Sequence, residues 1–254
     1  MQPIFMFDGS FTGYLTAVSR GQSEGYAHLK FSGAEDQNTL QLFGPDSRIE
    51  TDNTKAKRIW NELGFKGTEV QKRVYYCFLH KNKDLLSDVY RYIIRQLNPE
   101  LHSTAVPENA MNAELSTATR EVSKEKLTLE QRMQFQQTDD GIWFAEISAE
   151  HHVLPLLSRF CRSRFHSDPW VVVDRRRNQA LSAMAGGLFL SSAEQFDRPN
   201  RASTAYGNLE KQRKYTLQKI KPGVRSKEAS SSGGRTQMLG RNKKWAQEIE
   251  QQAV

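Results

Sequence analysis

Apolar positions along this chain change their period twice. The opening "PIFMF" reads as a short strand, closed by the turn residues Asp8-Gly9-Ser10. Ser10 can cap a helix, and Phe11, Tyr14, Leu15 and Val18 then recur at helical spacing. Residues 21–50 lose the pattern, apart from an apolar stretch at Leu40–Phe43, and predict a long irregular connection. "TDNTKAKRIWNELG" predicts a helix capped by Asp52 or Thr54 and ended by Gly64. Ala56, Ile59, Trp60 and Leu63 form its inner face, with Lys55, Lys57 and Arg58 mostly off it. Two further helices follow over 68–80 and 84–97, the latter stopped by Asn98-Pro99. A fourth, over 108–125, has few apolar residues and should turn a wide face to solvent.

Alternation then replaces the helical period. "QRMQFQQTDDGIWFAEIS" alternates on both sides of Asp139-Asp140-Gly141, which is a hairpin signal. An apolar helix reaching Phe165 follows, then the strand "PWVVVD", then a hairpin around Gly186-Gly187. Strands open the chain and return late, with a block of helices between them. That segregation predicts an α+β fold, its sheet mainly antiparallel and packed with the helices. From residue 198 the composition turns to Arg, Lys, Ser, Gln and Gly. A single domain over 1–197 and a basic, largely disordered tail over 198–254 are expected.

Charge sharpens that division. The net charge is +7, yet residues 198–254 hold 13 Lys and Arg against 4 Asp and Glu. Residues 1–197 are therefore slightly acidic. A basic tail suits a polyanion such as nucleic acid, or serves only as a solubilising segment. The two cysteines, Cys77 and Cys161, are far apart in apolar runs with no CxxC spacing, so a thiolate metal site is not expected. No stretch reaches the about 18 consecutive apolar residues of a membrane span, and the first residues lack a signal-peptide pattern. A cytoplasmic protein with no cofactor follows as the expectation.

His151 and His152 form the one adjacent histidine pair. Neighbouring residues on a helix point about 100° apart and cannot easily share a metal ion. No metal site is expected there. What remains is an acid/base role for one histidine, or a polar helix start with Ser148 as cap. Asp8 and Asp174 are the carboxylates that could act with His151, although Asp8 also fits a plain turn. Arg175, Arg176 and Arg177 follow a β-branched strand and could clamp a phosphate, or form an ordinary surface run with Asp174 in a salt bridge. Arg164 lies at a helix end, and Arg91 can pair with Asp88 one turn away.

Five stretches together resemble a bacterial family of DNA-metabolism and DNA-repair proteins. They are "FDGSFTGYLTAV" (7–18), "TDNTKAKRIWNEL" (51–63), "LLSDVYRYI" (85–93), "ISAEHHVLPLLSRFCRSRF" (147–165) and "WVVVDRRR" (170–177). Members of that family are encoded beside a radical SAM protein of DNA modification or repair, and some are fused to a uracil-DNA-glycosylase-like domain. Family-like positions include Asp8, Ser10, Asp52, Lys55, Arg91, His151, Pro155, Arg164, Trp170 and Asp174. The family's "DHNVLP" or "DHDVLP" appears here as Glu150-His151-His152-Val153-Leu154-Pro155, so His151 is the family histidine and His152 a departure. The family's "REAHR" appears as Arg120–Lys124 without its histidine. The basic tail is expected to lie outside the likeness.

The resemblance implies a role in DNA metabolism or repair, accessory to a radical SAM partner. Lys55, Arg91, Arg164, Arg175, Arg176 and Arg177 are then the candidates for nucleic-acid contact. The alternatives are a DNA-acting enzyme, glycosylase-like or hydrolytic, using His151 with Asp8 or Asp174, and a protein–protein adaptor without nucleic-acid contact.

Overall fold

The computed structural model describes residues 3–33, 48–98, 108–166, 168–184 and 187–196. The apolar stretch at Leu40–Phe43, the expected domain boundary at 197/198 and the segment from 198 lie outside these residues. Among the described residues there are six α-helices and seven strands, a mixed α+β fold with a mostly antiparallel sheet, as the sequence predicts. No helix among them is long and apolar enough to cross a membrane. The chain divides into two compact units, Met1–Lys124 and a second that begins at Glu125.

In the first unit, β1 (Ile4–Phe7) pairs in parallel with β2 (Lys30–Gly33), and α1 (Phe11–Ser23) connects them. The expected irregular connection thus contains a strand. It has little alternation because only four residues pair, in register Ile4 with Lys30 through Phe7 with Gly33. The helix α2 (Asn53–Lys66) is capped by Asp52, whose carboxylate accepts from the Thr54 and Lys55 amides. It runs past Gly64 and ends at Gly67, where φ is +127°. Gly67 supplies the backbone conformation that side-chain-bearing residues avoid, so the helix stops there rather than at Gly64. Next come α3 (Thr68–Leu79) and α4 (Leu85–Leu97).

Phe11, Tyr14 and Phe31 each join several rings of the aromatic core. The Phe11 ring meets Trp60 at 5.3 Å, Tyr75 at 4.9 Å and Phe78 at 5.0 Å, all edge-on. Edge-to-face contacts of this kind add to the burial of the rings themselves. The Tyr14 hydroxyl is buried and donates to the Leu86 carbonyl at 2.8 Å, so it is not left unpaired.

The helix α5 (Glu108–Arg132) spans the end of the first unit and the start of the second. Met111, Leu115, Ala118 and Val122 make its one buried stripe, which accounts for its sparse apolar content. It runs about two turns beyond the expected end. Lys126 and Glu130 bond at 2.6 Å across one of those turns, and Met133 N–H still donates to Leu129. What remains for the first strand of the hairpin is short.

The second unit is a five-stranded sheet in the order β3-β4-β5-β6-β7. Its strands are Gln136–Gln137, Trp143–Ile147, Trp170–Asp174, Gln179–Met184 and Gly187–Ser192. Both hairpins form where the sequence placed them. The first turns at Gly141, where φ is +78°, and Thr138 accepts the Ile142 amide on its side chain. The β4–β5 pair is parallel, joined by a 3₁₀ turn (Leu154–Leu157) and α6 (Ser158–Phe165). As the middle strand, β5 is buried at all five positions. Ile142, Phe144, Val171, Val173, Ala180, Ala193 and Phe196 form one apolar cluster against the sheet.

Both thiols are buried. Burial pushes Cys77 up to about 11 and Cys161 up to about 12. At neutral pH roughly one Cys77 in ten thousand carries the reactive thiolate. Alkylation of the native protein by iodoacetamide should therefore be slower by orders of magnitude than in urea, read as mass shift against time. Prompt labelling of the native chain at two sites would contradict this placement.

Candidate functional site

The Asp8 loop is built by the N-termini of two helices in the first unit. Ser10 caps α1, accepting from the Gly13 amide at 2.9 Å. Its own amide and hydroxyl donate to one Asp8 oxygen at 2.9 and 2.6 Å, and the Thr51 hydroxyl donates to the other at 2.7 Å. The partial desolvation of Asp8 is outweighed by these donors, led by the Ser10 side chain, and its carboxyl is held below the usual range. A side chain at Gly13 would run into that carboxylate. Lys55 is exposed one turn into α2, 3.6 Å from the Asp52 carboxylate. The stretches 7–18 and 51–63, far apart in sequence, are thus joined by hydrogen bonds at Asp8–Thr51 and Thr16–Asp52. Thr51 escaped the sequence reading because it lies just outside the helix it precedes.

Arg91 is half-buried on α4 and ion-pairs with Asp88 one turn away. Burial lowers its basicity, while Glu114 partly restores it. It has less to offer a phosphate than an exposed arginine.

In the second unit the arginine run after β5 forms the turn to β6, and its three members differ. Arg175 donates to Glu146 at 3.0 Å and to the Phe196 carbonyl at 3.3 Å. Arg177 pairs with Asp174 at 2.9 Å and reaches the carbonyls of Ala149, at 2.8 Å, and Glu150. The second Asp174 oxygen accepts the Arg176 amide at 3.0 Å, and Asp174 is fully buried. The Arg176 side chain is exposed to solvent.

His151 is buried, but not in a helix. Residues 148–153 form a loop, and the 3₁₀ turn begins only at Leu154, with Pro155 in its first turn. Ser148 caps nothing here, contrary to the expectation. Glu125 instead takes the amides of Glu150 and His151 at 2.6 and 2.8 Å. The loop is held from two sides, by Glu125 on its N–H groups and by Arg177 on its carbonyls. Neither partner could be found from the pattern of residues 146–160 alone.

Arg164 lies exposed on α6 with its guanidinium 5.7 Å from the ring centres of both Phe135 and Phe165. Trp143 stacks on the other ring neighbour, Phe165, at 5.3 Å. The eight residues of α6 include Arg159, Arg162 and Arg164 and no acid. A cavity of about 520 Å³ opens between the end of α5 and β4, lined by Met133, Gln134, Gln136, Phe144 and Glu146 among others.

Residues 83–228 match a domain of unknown function, DUF4130, over more than half of the chain. The chain belongs to the DUF4130 family. No curated protein gives a match. The family span takes in His151, Arg164 and the whole arginine turn, and begins after the Asp8 loop and Lys55. It also runs to residue 228, well into the segment expected to fall outside the likeness.

Proposed function

We propose that this DUF4130 chain is a DNA-associated protein of DNA metabolism or repair, accessory to a radical SAM partner. The observation that carries the reading is the arginine–aromatic face of α6, where Arg164 is exposed and held over two phenylalanine rings. Guanidinium groups fixed on aromatic planes suit phosphates and bases without needing to fold first. Arg176, exposed at the β5–β6 turn, and Lys55, exposed beside Asp52, add surface cations without an aromatic support. The net +9 beyond residue 197 supports the reading independently. The two carboxylates considered for acid/base work, Asp8 and Asp174, are both taken up by donors of their own unit, which favours binding over hydrolysis.

The test is binding of the full chain to labelled duplex and single-stranded oligonucleotides across a salt series. Affinity should fall linearly on a double-logarithmic plot, and alanine at Arg164 or Arg176 should shallow the duplex slope by about 0.9 each. Absent or salt-insensitive binding sinks the proposal. Co-purification with the radical SAM protein, with and without nuclease, tests the partner separately.

A further inference from the structure

The outer face of α2 is unlike the rest of the first unit. Phe65 is 89% exposed, more than any other large apolar side chain among the described residues. With 3.6 residues per turn, Lys57, Asn61 and Phe65 follow one another along a single face, with Arg58 beside them. All four are exposed, and they lie opposite the buried Ala56, Ile59, Trp60 and Leu63. The sequence of α2 contains four Lys and Arg against the single acid Glu62. Lys55 and Lys66, at its two ends, are exposed as well.

The backbone that carries Phe65 is braced at both ends. Gly67 ends α2 one residue after Lys66, and α3 starts at once. Gln71 of α3 donates to the Trp60 carbonyl at 2.8 Å, which ties the corner shut. Arg58 donates to Ser19 of α1 at 3.2 Å, which fixes the same face from its other end.

We propose that this face holds a single-stranded nucleic acid, with an unpaired base stacked on Phe65 and the neighbouring phosphates met by Lys57 and Arg58. The site rests on the DNA-associated reading and names its substrate form as unpaired strand. A protein-docking patch or a membrane-lying helix would surround Phe65 with further apolar anchors. Here its neighbours along the face are Lys57, Asn61 and Arg58, the last 3.7 Å from Glu62 but 59% exposed, a setting in which base stacking combines with phosphate neutralisation.

Phe65→Ala and Phe65→Trp in the full chain test this by fluorescence anisotropy, with a labelled oligothymidylate and with a duplex of equal length. Phe65→Ala should weaken single-strand binding about tenfold while changing duplex binding less than about twofold. Phe65→Trp should retain the single-strand affinity. The thermal midpoint of both variants should match the wild type, because the side chain is almost wholly outside the core. Lys57→Gln with Arg58→Gln should weaken both ligands and shallow the salt slope. Wild-type single-strand affinity in Phe65→Ala, or an equal loss on both ligands, overturns the α2 site and leaves the broader reading standing. Failure of the wild type to bind either oligonucleotide at low salt overturns both.

Discussion

Replacing Arg177 with alanine should cost about 3–5 kcal/mol of stability, the penalty of leaving one member of a buried ion pair unpaired. Asp174 is fully inaccessible, and the Arg177 side chain is 23% exposed. Without the guanidinium, the carboxylate keeps only the Arg176 amide, and the carbonyls of Ala149 and Glu150 lose their donor. Urea unfolding should show a lower midpoint with an unchanged slope. Arg175→Ala is the internal comparison. Its partner Glu146 is 31% and Arg175 itself 37% exposed, so that pair should contribute about 0–1 kcal/mol. Removing both Asp174 and Arg177 in favour of apolar residues of similar size should recover much of the loss, since no lone charge is then buried. A destabilised Arg177→Ala places Asp174 in the scaffold. A fully stable variant that no longer binds DNA would instead return Asp174 and Arg177 to the functional surface.

That contrast marks where sequence ceased to be informative. Local pattern was enough for the hairpin at Gly141, for the start and inner face of α2, and for β5, because each is set by residues within a few positions, while the α2 cap stayed open between Asp52 and Thr54. The Asp88–Arg91 pair was also legible, being one helical turn apart, whereas the sequence left open which arginine Asp174 would hold. The parallel pairings β1–β2 and β4–β5 were not legible, since each depends on a crossover that alternation does not encode. The same crossover decides the fate of the arginine run. Parallel register sets Ile147 opposite Asp174, which brings Glu146 and the 149–150 carbonyls to Arg175 and Arg177. Three arginines that look equivalent in sequence thereby become two that bond within the unit, Arg175 at its surface and Arg177 deeper, and a third, Arg176, whose side chain is exposed. Glu125 is the mirror case, an ordinary helix-surface glutamate until the fold sets two loop amides against it.

Deleting residues 198–254 should remove most of the nonspecific DNA affinity, and the location of that affinity within the segment can be stated more finely. Residues 198–228 hold nine Lys and Arg against two acids, whereas 229–254 hold four against two. The family span ends at residue 228, so the strongly basic part lies inside it and the weakly basic part outside. Truncation after 228 should therefore change binding little. Truncation after 197 should shallow the plot of log affinity against log salt by roughly 5, if six of the nine cations neutralise duplex phosphates at about 0.9 each. Six such contacts correspond to about a thousandfold loss of affinity between roughly 50 and 200 mM salt, so the two truncations should separate widely at low salt and converge at high salt. Exchange of the nine cations for glutamine in the full-length chain controls for any effect of truncation on folding. It should reproduce the shallow slope while leaving the unfolding midpoint unchanged. Equal slopes for the wild type and the 198–254 deletion would move the whole electrostatic contribution onto the folded units, where Arg164, Arg176 and the α2 cations would have to supply it.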